Sequence, residues 1–150
     1  MATSYGVFYE VFLHKILEYH YIDSDVSFIE KESNKYLNAS VSQFRHYCTK
    51  YNFSNRDEEE KCFNFDIEED DFDEVVDIIT DGMVVDWFKK YICNSDALEN
   101  VLTTKDFALY SPANLNFRNR ETYEMLKQAF INKMREYSFT HNDIGVFNNG

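Results

Sequence analysis

Carboxylates are the side chains through which this chain could most readily do chemistry. Between Asp57 and Asp77 the sequence places twelve acids and one base, a net charge of −11, whereas the other residues carry fifteen acids and fourteen bases, a net charge of −1. Closely spaced acids can hold a divalent cation or supply the acid–base pair of a hydrolase. A cation site and a hydrolase site each require a particular spacing of the acids and a particular environment around them.

A calcium loop places oxygen ligands at alternate positions around a glycine that permits a sharp turn. The densest acids, Asp66–Glu74, include no glycine, and the next glycine along the chain is Gly82. The segment also has helical character, and carboxylates on a helix fan outward instead of converging. Helix capping and a solvated helix face explain these acids better than a metal site, so we predict no metal and no cofactor.

A two-carboxylate hydrolase needs one acid whose pKa is raised by an apolar pocket. Asp81 and Asp86 are the better candidates, because both lie within an apolar helical pattern, although helix surfaces carry such acids routinely. The histidines and cysteines show no HExxH motif and no zinc-like spacing, and the chain has no phosphate-binding glycine loop and no nucleophile elbow. We therefore predict no catalytic residues and no enzymatic activity.

Apolar residues recur at helical spacing along most of the chain, and only four glycines and one proline interrupt it. Two helices are predicted in the first half: one from about Ser4 to His20, and one that follows a cap at Asp23 or Ser24 and ends near Thr49. Residues 51–61 are predicted to form an exposed loop. Residues 62–65 form either a short extended piece or a hydrophobic staple for the next helix.

The third helix is predicted to run from an N-cap at Asp66 to about Ile92, with Glu69 completing a reciprocal cap. The acids that follow Asp66 lie at the positive end of the helix dipole, which favours them. A shorter helix is predicted to restart at Asn94 or Ser95.

The last helix is predicted to begin at Ser111–Pro112, where serine caps and proline occupies a position that needs no N–H. It carries an apolar stripe to Tyr137, and the polar tail from Ser138 has no helical period. The expected fold is all-α, a small bundle of four to five helices in a single domain over residues 1–139. Residues 140–150 are expected to be a flexible or extended C-terminal arm.

The acidic balance argues against a protein that coats nucleic acid or an anionic membrane, because both need clustered lysine and arginine. It suits a basic protein partner, or a surface past which DNA must move without adhering. Three cysteines without a CxxC pair indicate free thiols in a reducing compartment. Aromatic side chains make up 17% of the chain, so some are available as anchors of protein interfaces.

Short segments occur in a particular order from Leu37 to Phe139. They contain Asn64, Asp66, Met83, Trp87, Ser111, Pro112, Asn114 and Tyr137. This order resembles that of small virion proteins of tailed bacteriophages, those of the neck. These proteins are the head-to-tail connectors, or adaptors, that form a ring beneath the portal. Asp86 and Phe88 stand where that family prefers glutamate and leucine.

The resemblance implies a mostly helical, non-enzymatic protein that works as a homo-oligomeric ring, expected to have twelve copies to match the portal. Its implied partners are the portal protein and other neck or tail proteins, with no membrane. It would assemble in the host cytoplasm, reside in the virion neck, and let DNA pass without specific binding. The acids expected to line the channel or an interface are Asp57, Glu58, Glu59, Glu60, Glu68, Glu69, Asp70 and Asp71.

A second hypothesis follows from the acidic block alone. An acidic protein can mimic DNA and inhibit a host enzyme that binds nucleic acid. Such a mimic needs carboxylates spread along a long surface at phosphate-like spacing, whereas here they are clustered in one part of the sequence. The neck adaptor is therefore the preferred interpretation, and the mimic is the alternative.

Overall fold

The computed structural model describes residues 2–17, 26–92 and 112–141, and the side chains of residues 2–16, 31–90 and 118–141. Of the described residues 73% are helical, in four helices, and a small three-stranded sheet accompanies them. In chain order the elements are β1 (Thr3–Ser4), α1 (Tyr5–Leu17), α2 (Val26–Phe44), β2 (Arg56–Asp57), β3 (Cys62–Phe63), α3 (Glu69–Trp87), a π-helical turn (Phe88–Ile92) and α4 (Pro112–His141).

The helical prediction is confirmed in its broad form, but a strictly all-α fold is wrong because of the sheet. The predicted cap at Asp23 or Ser24 and the predicted helix from Asn94 or Ser95 lie outside the described residues. Of the arm predicted over 140–150, residues 140–141 are helical, and the rest lies outside the described residues. The second helix ends at Phe44, five residues before the predicted end at Thr49, and a turn follows it.

Helix α3 is the centre of the fold, because α1, α2 and α4 all pack against it. Its apolar residues occur on several sides of the helix instead of one stripe, as expected for an element that is covered by neighbours on several sides. Ile79 and Met83 are fully buried. The other buried apolar residues of α3 are Val75, Val76, Ile78, Val84, Val85 and Trp87.

The three strands form an antiparallel sheet in the order β1–β3–β2, in which Phe63 lies opposite both Thr3 and Arg56. Phe63 has no exposed surface, and its ring lies 4.9 Å from the Tyr5 ring and 5.7 Å from the Phe53 ring. Burial of this ring fixes the register, since a slip of one residue would turn it to solvent. Lys61, at a φ of 56°, adopts the left-handed conformation that closes the turn before β3.

The segment 51–61 is not the exposed loop that its polarity predicts. Tyr51 and Phe53 are buried, and residues 56–57 form β2. The ring of Tyr51, at the start of the segment, stacks at 5.4 Å on the ring of Phe65, which follows β3, so residues on both sides of the hairpin share one aromatic cluster. Aromatic contacts across the hairpin therefore outweigh the local polar composition.

The N-cap prediction at Asp66 is wrong, since α3 begins at Glu69 and Glu68 precedes it without a side-chain cap. Ile67 is buried, and the ring of Phe65 packs in the aromatic cluster, so the chain stays extended until it has placed both. The hydroxyl of Tyr51 accepts a hydrogen bond from the backbone N–H of Glu68 at 3.0 Å. A tertiary contact thus replaces the local cap.

The last helix is longer than predicted, because Ser138–His141 are helical and not part of a tail. The ring of His141 lies 4.4 Å from the ring of Tyr137, one turn earlier in the helix. Thr140 donates a hydrogen bond to the carbonyl of Glu136 at 2.9 Å. These contacts stabilise a polar final turn that no apolar period marks in the sequence.

None of the described helices has the length and apolar character that would let it cross a membrane.

Candidate functional site

Two aspartates one turn apart on α3 are bridged by lysines from two other helices. Lys15 of α1 binds Asp77 at 2.8 Å and Asp81 at 2.7 Å, and Lys133 of α4 binds Asp77 at 2.9 Å and also bonds to Asp81. Lys15 also donates to the backbone carbonyl of Asp77 at 3.0 Å. Two positive and two negative charges cancel, so this cluster links α1, α3 and α4 and adds no net charge.

The electrostatics of this cluster favour the charged forms of Asp77 and Lys133. Burial by itself raises the pKa of Asp77, but hydrogen bonds from Lys15 and Lys133 outweigh burial and lower it. Burial likewise disfavours the charged form of Lys133, yet its bonds to Asp81 and Asp77 raise the pKa of the ammonium group. Groups held in their charged forms stabilise the fold and are poorly suited to exchange protons at neutral pH.

A second cluster surrounds Asp71, which lies in the first turn of α3 and is 4% exposed. Lys50 donates to Asp71 at 2.7 Å and to Glu68 at 2.6 Å, and the hydroxyl of Tyr51 donates to Asp71 at 2.9 Å. Burial raises the pKa of Asp71, but the bonds from Lys50 and Tyr51 exceed this effect and lower it. Asp71 therefore serves as a buried anchor and is not an outward-facing acid.

The C-terminal turn of α4 packs against the same end of α3. The His141 ring lies 3.0 Å from Glu74 through Nε2, and its Nδ1 lies 3.9 Å from Asp71. Tyr137 is fully buried, and the thiol of Cys48 lies 3.7 Å from its hydroxyl. Burial raises the pKa of both the Cys48 thiol and the Tyr137 hydroxyl, so both groups remain protonated and unreactive at neutral pH.

The acids between β2 and β3 are held by a tight turn. The carboxylate of Asp57 accepts bonds from the backbone N–H groups of Glu59 and Glu60 at 3.0 and 3.1 Å. Glu58 pairs with Arg56 at 3.2 Å and accepts a bond from Tyr5 at 3.3 Å. The buried position of Tyr5, together with Glu58, raises the pKa of its hydroxyl to about 12. The turn therefore presents the carboxylates of Glu59 and Glu60 on a fixed support.

Ten of the twelve acids of this segment fall into two sets, while Asp57 bonds to backbone N–H groups and Glu74 contacts His141. We call the first the inner set: each member bonds to a cation of the same chain, although Glu58 and Glu68 are themselves exposed. Its members are Glu58, Glu68, Asp71, Asp77 and, beyond the segment, Asp81. We call the other set the outward acids: they are exposed, and no ion pair joins them to any cation in the described part of the chain. They are Glu59, Glu60, Asp66, Glu69, Asp70 and Asp73.

The two acids best placed in the sequence for hydrolysis do not form a pair. Five residues separate Asp81 from Asp86, which places them about 140° apart around α3. Asp81 is bound by both lysines, whereas burial raises the pKa of Asp86. Within residues 2–17, 26–92 and 112–141, no group of three or more His, Cys, Asp or Glu side chains is arranged to hold a metal ion.

The residues that carry the phage resemblance have varied structural settings. Asn64 pairs with Asn55 through both backbone and side chain, at 2.9 and 3.2 Å, and extends the pairing at the open end of the β2–β3 hairpin. Met83, Trp87 and Tyr137 are buried, Asp66 is exposed, and Pro112 is the first residue of α4. Ser111 and the side chain of Asn114 lie outside the described part.

Sequence reasoning missed the three lysines that neutralise every member of the inner set except Glu58, which pairs with Arg56. Lys15 follows an apolar pattern in α1, Lys50 lies beside the polar loop, and Lys133 lies among other bases of the last helix. No local pattern identifies their carboxylate partners, which are 66, 21 and 52 residues away in sequence for the Lys15–Asp81, Lys50–Asp71 and Lys133–Asp81 pairs.

No family model, no curated protein and no solved structure matches this chain.

Proposed function

We propose that this protein is a structural subunit of a tailed-bacteriophage particle, part of the head-to-tail connector below the portal. Copies form a ring, with twelve subunits as the form that matches the portal, and DNA passes through it without specific binding. The subunit acts through contacts with other copies, with the portal and with further neck or tail proteins, and it transforms no substrate. It is assembled in the host cytoplasm and resides in the virion.

The observation that carries this proposal is the division of the acids into two sets. Lysines of the same chain neutralise Asp71, Asp77 and Asp81, whereas the outward acids have no internal cation in the described part. The presence of the paired carboxylates in the sequence is explained by their ion pairs, which stabilise the fold. The outward acids have no such internal role, so their charge is available to surfaces beyond the subunit.

Two physical roles suit such a surface. A channel lined by fixed negative charge repels DNA phosphates and keeps the duplex from adhering to the wall. Alternatively, the outward acids bind basic side chains of an adjacent subunit, and identical head-to-tail contacts close into a ring when the rotation permits. The ordered segments from Leu37 to Phe139 that resemble neck proteins favour a ring in both cases.

Assembly provides the first test. The purified chain, alone and mixed with portal protein from the phage whose genome encodes it, is weighed by native mass spectrometry and imaged by electron microscopy. We expect a closed ring, seated on the portal when portal is present. Proteomics of purified virions should detect the chain, and its absence there would contradict the proposal. Capture of a basic host nuclease instead would favour the DNA-mimic hypothesis.

Charge reversal separates the two roles of the outward acids. The variant Glu59→Lys/Glu60→Lys is compared with Glu121→Lys/Glu124→Lys, which reverses two exposed acids of α4. If the turn faces the channel, the first variant assembles normally but its particles eject DNA more slowly. If the turn lies in a subunit interface, the first variant fails to form rings. Identical behaviour of both variants and the unmodified chain would exclude a role for the turn.

A further inference from the structure

The path of α3 changes at its C-terminal end. After Trp87 the chain continues for five residues, Phe88–Ile92, as a π-helical turn. A π-helix uses i→i+5 hydrogen bonds and accommodates one more residue per turn than an α-helix, and isolated π turns are rare and frequent at functional sites. The local sequence does not demand this form, since it contains neither glycine nor proline.

A long-range ion pair joins this turn to α2. The ammonium group of Lys90 lies 2.5 Å from a carboxylate oxygen of Glu32, which is 8% exposed. Glu32 also accepts bonds from Lys35 at 3.3 Å and Tyr36 at 3.4 Å. The bond from Lys90 is the largest cause of the lowered pKa of Glu32, so the carboxylate is charged where the pair forms.

The same turn also contacts α4, so it lies where α2, α3 and α4 meet. A return to α-helical geometry would move the extra residue out of the turn. Residues after it would rotate by about 100° and shift by about 1.5 Å along the axis. Lys90 lies within the turn and would undergo part of this rotation, which would lengthen its 2.5 Å contact with Glu32. The ion pair and the π-helical register therefore depend on each other.

We propose that the Glu32–Lys90 ion pair selects between two registers at the end of α3, a π-helical register when it is formed and an α-helical register when it is broken. The pair can open without leaving Glu32 unbonded, because Lys35 and Tyr36 still contact it. Half of the Lys90 side chain is exposed, so an anionic group from outside can compete for it. The device couples α2 to the backbone register of residues 88–92, independently of the proposed function.

The test is nuclear magnetic resonance on the full-length, isotopically labelled chain, with couplings measured across backbone hydrogen bonds. An i→i+5 pattern joins the amide of Ile92 to the carbonyl of Trp87, and an α-helical pattern joins it to the carbonyl of Phe88. In Lys90→Met we expect loss of the coupling to Trp87 and appearance of the coupling to Phe88. The control Lys35→Met removes the other lysine of Glu32 and should retain the coupling to Trp87.

Glu32→Gln preserves the shape of the side chain and guards against a Lys90→Met variant that does not fold. We expect Glu32→Gln to show both couplings, with the one to Trp87 weaker than in the unmodified chain. The double variant Glu32→Lys/Lys90→Glu should restore the coupling to Trp87. Retention of an undiminished Trp87 coupling in Glu32→Gln, or in a folded Lys90→Met, would overturn the proposal.

Discussion

The ring of Phe130 in α4 lies directly over the backbone of Gly82 in α3. A Cβ atom added at Gly82 would come 2.5 Å from Cζ of Phe130 and would also collide with the hydroxyl of Ser40. That hydroxyl donates a hydrogen bond to the carbonyl of Ile79 at 2.6 Å, so it cannot move away without losing its partner. Helices α2, α3 and α4 therefore meet at Gly82, the one position of α3 that lacks a side chain.

This contact predicts the effect of Gly82→Ala. The added methyl group must displace Phe130 or Ser40, and overpacking of this kind costs about 1–3 kcal/mol of the free energy of unfolding. Chemical denaturation monitored by circular dichroism measures the loss. Gly6→Ala is the matched control, because a Cβ there meets only Ser4 Oγ at 3.4 Å, an ordinary contact. Equal stability of the two variants would show that the three helices are not tightly packed at Gly82.

Replacing Asp71 by Asn is expected to lower the free energy of unfolding at pH 7 by about 1–3 kcal/mol, since Lys50 and Tyr51 lose a charged acceptor in a buried site. The control Asp70→Asn changes the neighbouring exposed acid and should stay within about 0.5 kcal/mol of the unmodified chain. Denaturation curves at pH 7 distinguish the two. A cost at Asp70 that equals the cost at Asp71 would mean that helix-dipole effects, and not the buried network, dominate.

The pKa of Asp71 is lowered from its ordinary value of 3.8. This shift predicts how the difference in stability between the unmodified chain and Asp71→Asn depends on pH. Because the folded pKa lies below the unfolded one, the stabilisation is fully present above about pH 4. It is lost as the pH falls from the ordinary value toward the folded value. The difference in stability between the unmodified chain and Asp71→Asn should therefore shrink in acid. A difference that stays constant down to pH 2 would contradict this assignment.

Lys133 of α4 forms ion pairs with Asp77 and Asp81 of α3. These pairs predict that the contribution of Lys133 to the free energy of unfolding depends on salt. Its side chain is 41% exposed, so Lys133→Met should cost only roughly 0.5–1 kcal/mol at low ionic strength. Added salt at 1 M screens charges beyond about 3 Å and should reduce this cost. Thermal melts at low and high salt measure it, with Arg135→Met on the exposed face of α4 as the control. A loss that does not change with salt would point to packing of the lysine stem.

Asp86 is expected to behave oppositely to Asp71. Burial raises its pKa in the folded state, so the ionised form is disfavoured there and folding loses stability as the pH rises through the folded pKa. Asp86→Asn should therefore raise the denaturation midpoint at pH 7 and leave it unchanged in acid, where the carboxyl is protonated in both states. A lower midpoint at pH 7 would indicate that the charge at Asp86 has a stabilising partner.

Local patterns in the sequence were sufficient for the main elements. Apolar spacing predicted α1, α3 and α4, because this spacing is set by the face that each helix buries. For most of the helix ends that the structure describes, the predicted end lies within a few residues of the observed one. The Ser111–Pro112 signal predicted the start of α4 correctly, since proline at the first helical position depends only on local geometry.

The remaining features depend on contacts between distant residues. The start of α3 at Glu69 follows from burial of Ile67 and from the Tyr51 hydroxyl, and neither effect has a local signature. The same is true of the final turn of α4, where His141 contacts Tyr137 and Glu74. Local capping rules cannot predict ends that tertiary contacts determine.

By itself the sequence determined that this protein is mainly helical and that most of its negative charge lies in one short segment. Only the tertiary structure decided which of the described acids pair with a cation of the same chain and which do not. The reason is physical: helix formation depends on neighbours three or four residues apart, whereas the Lys15–Asp81 ion pair joins residues 66 positions apart that come together only when the helices pack.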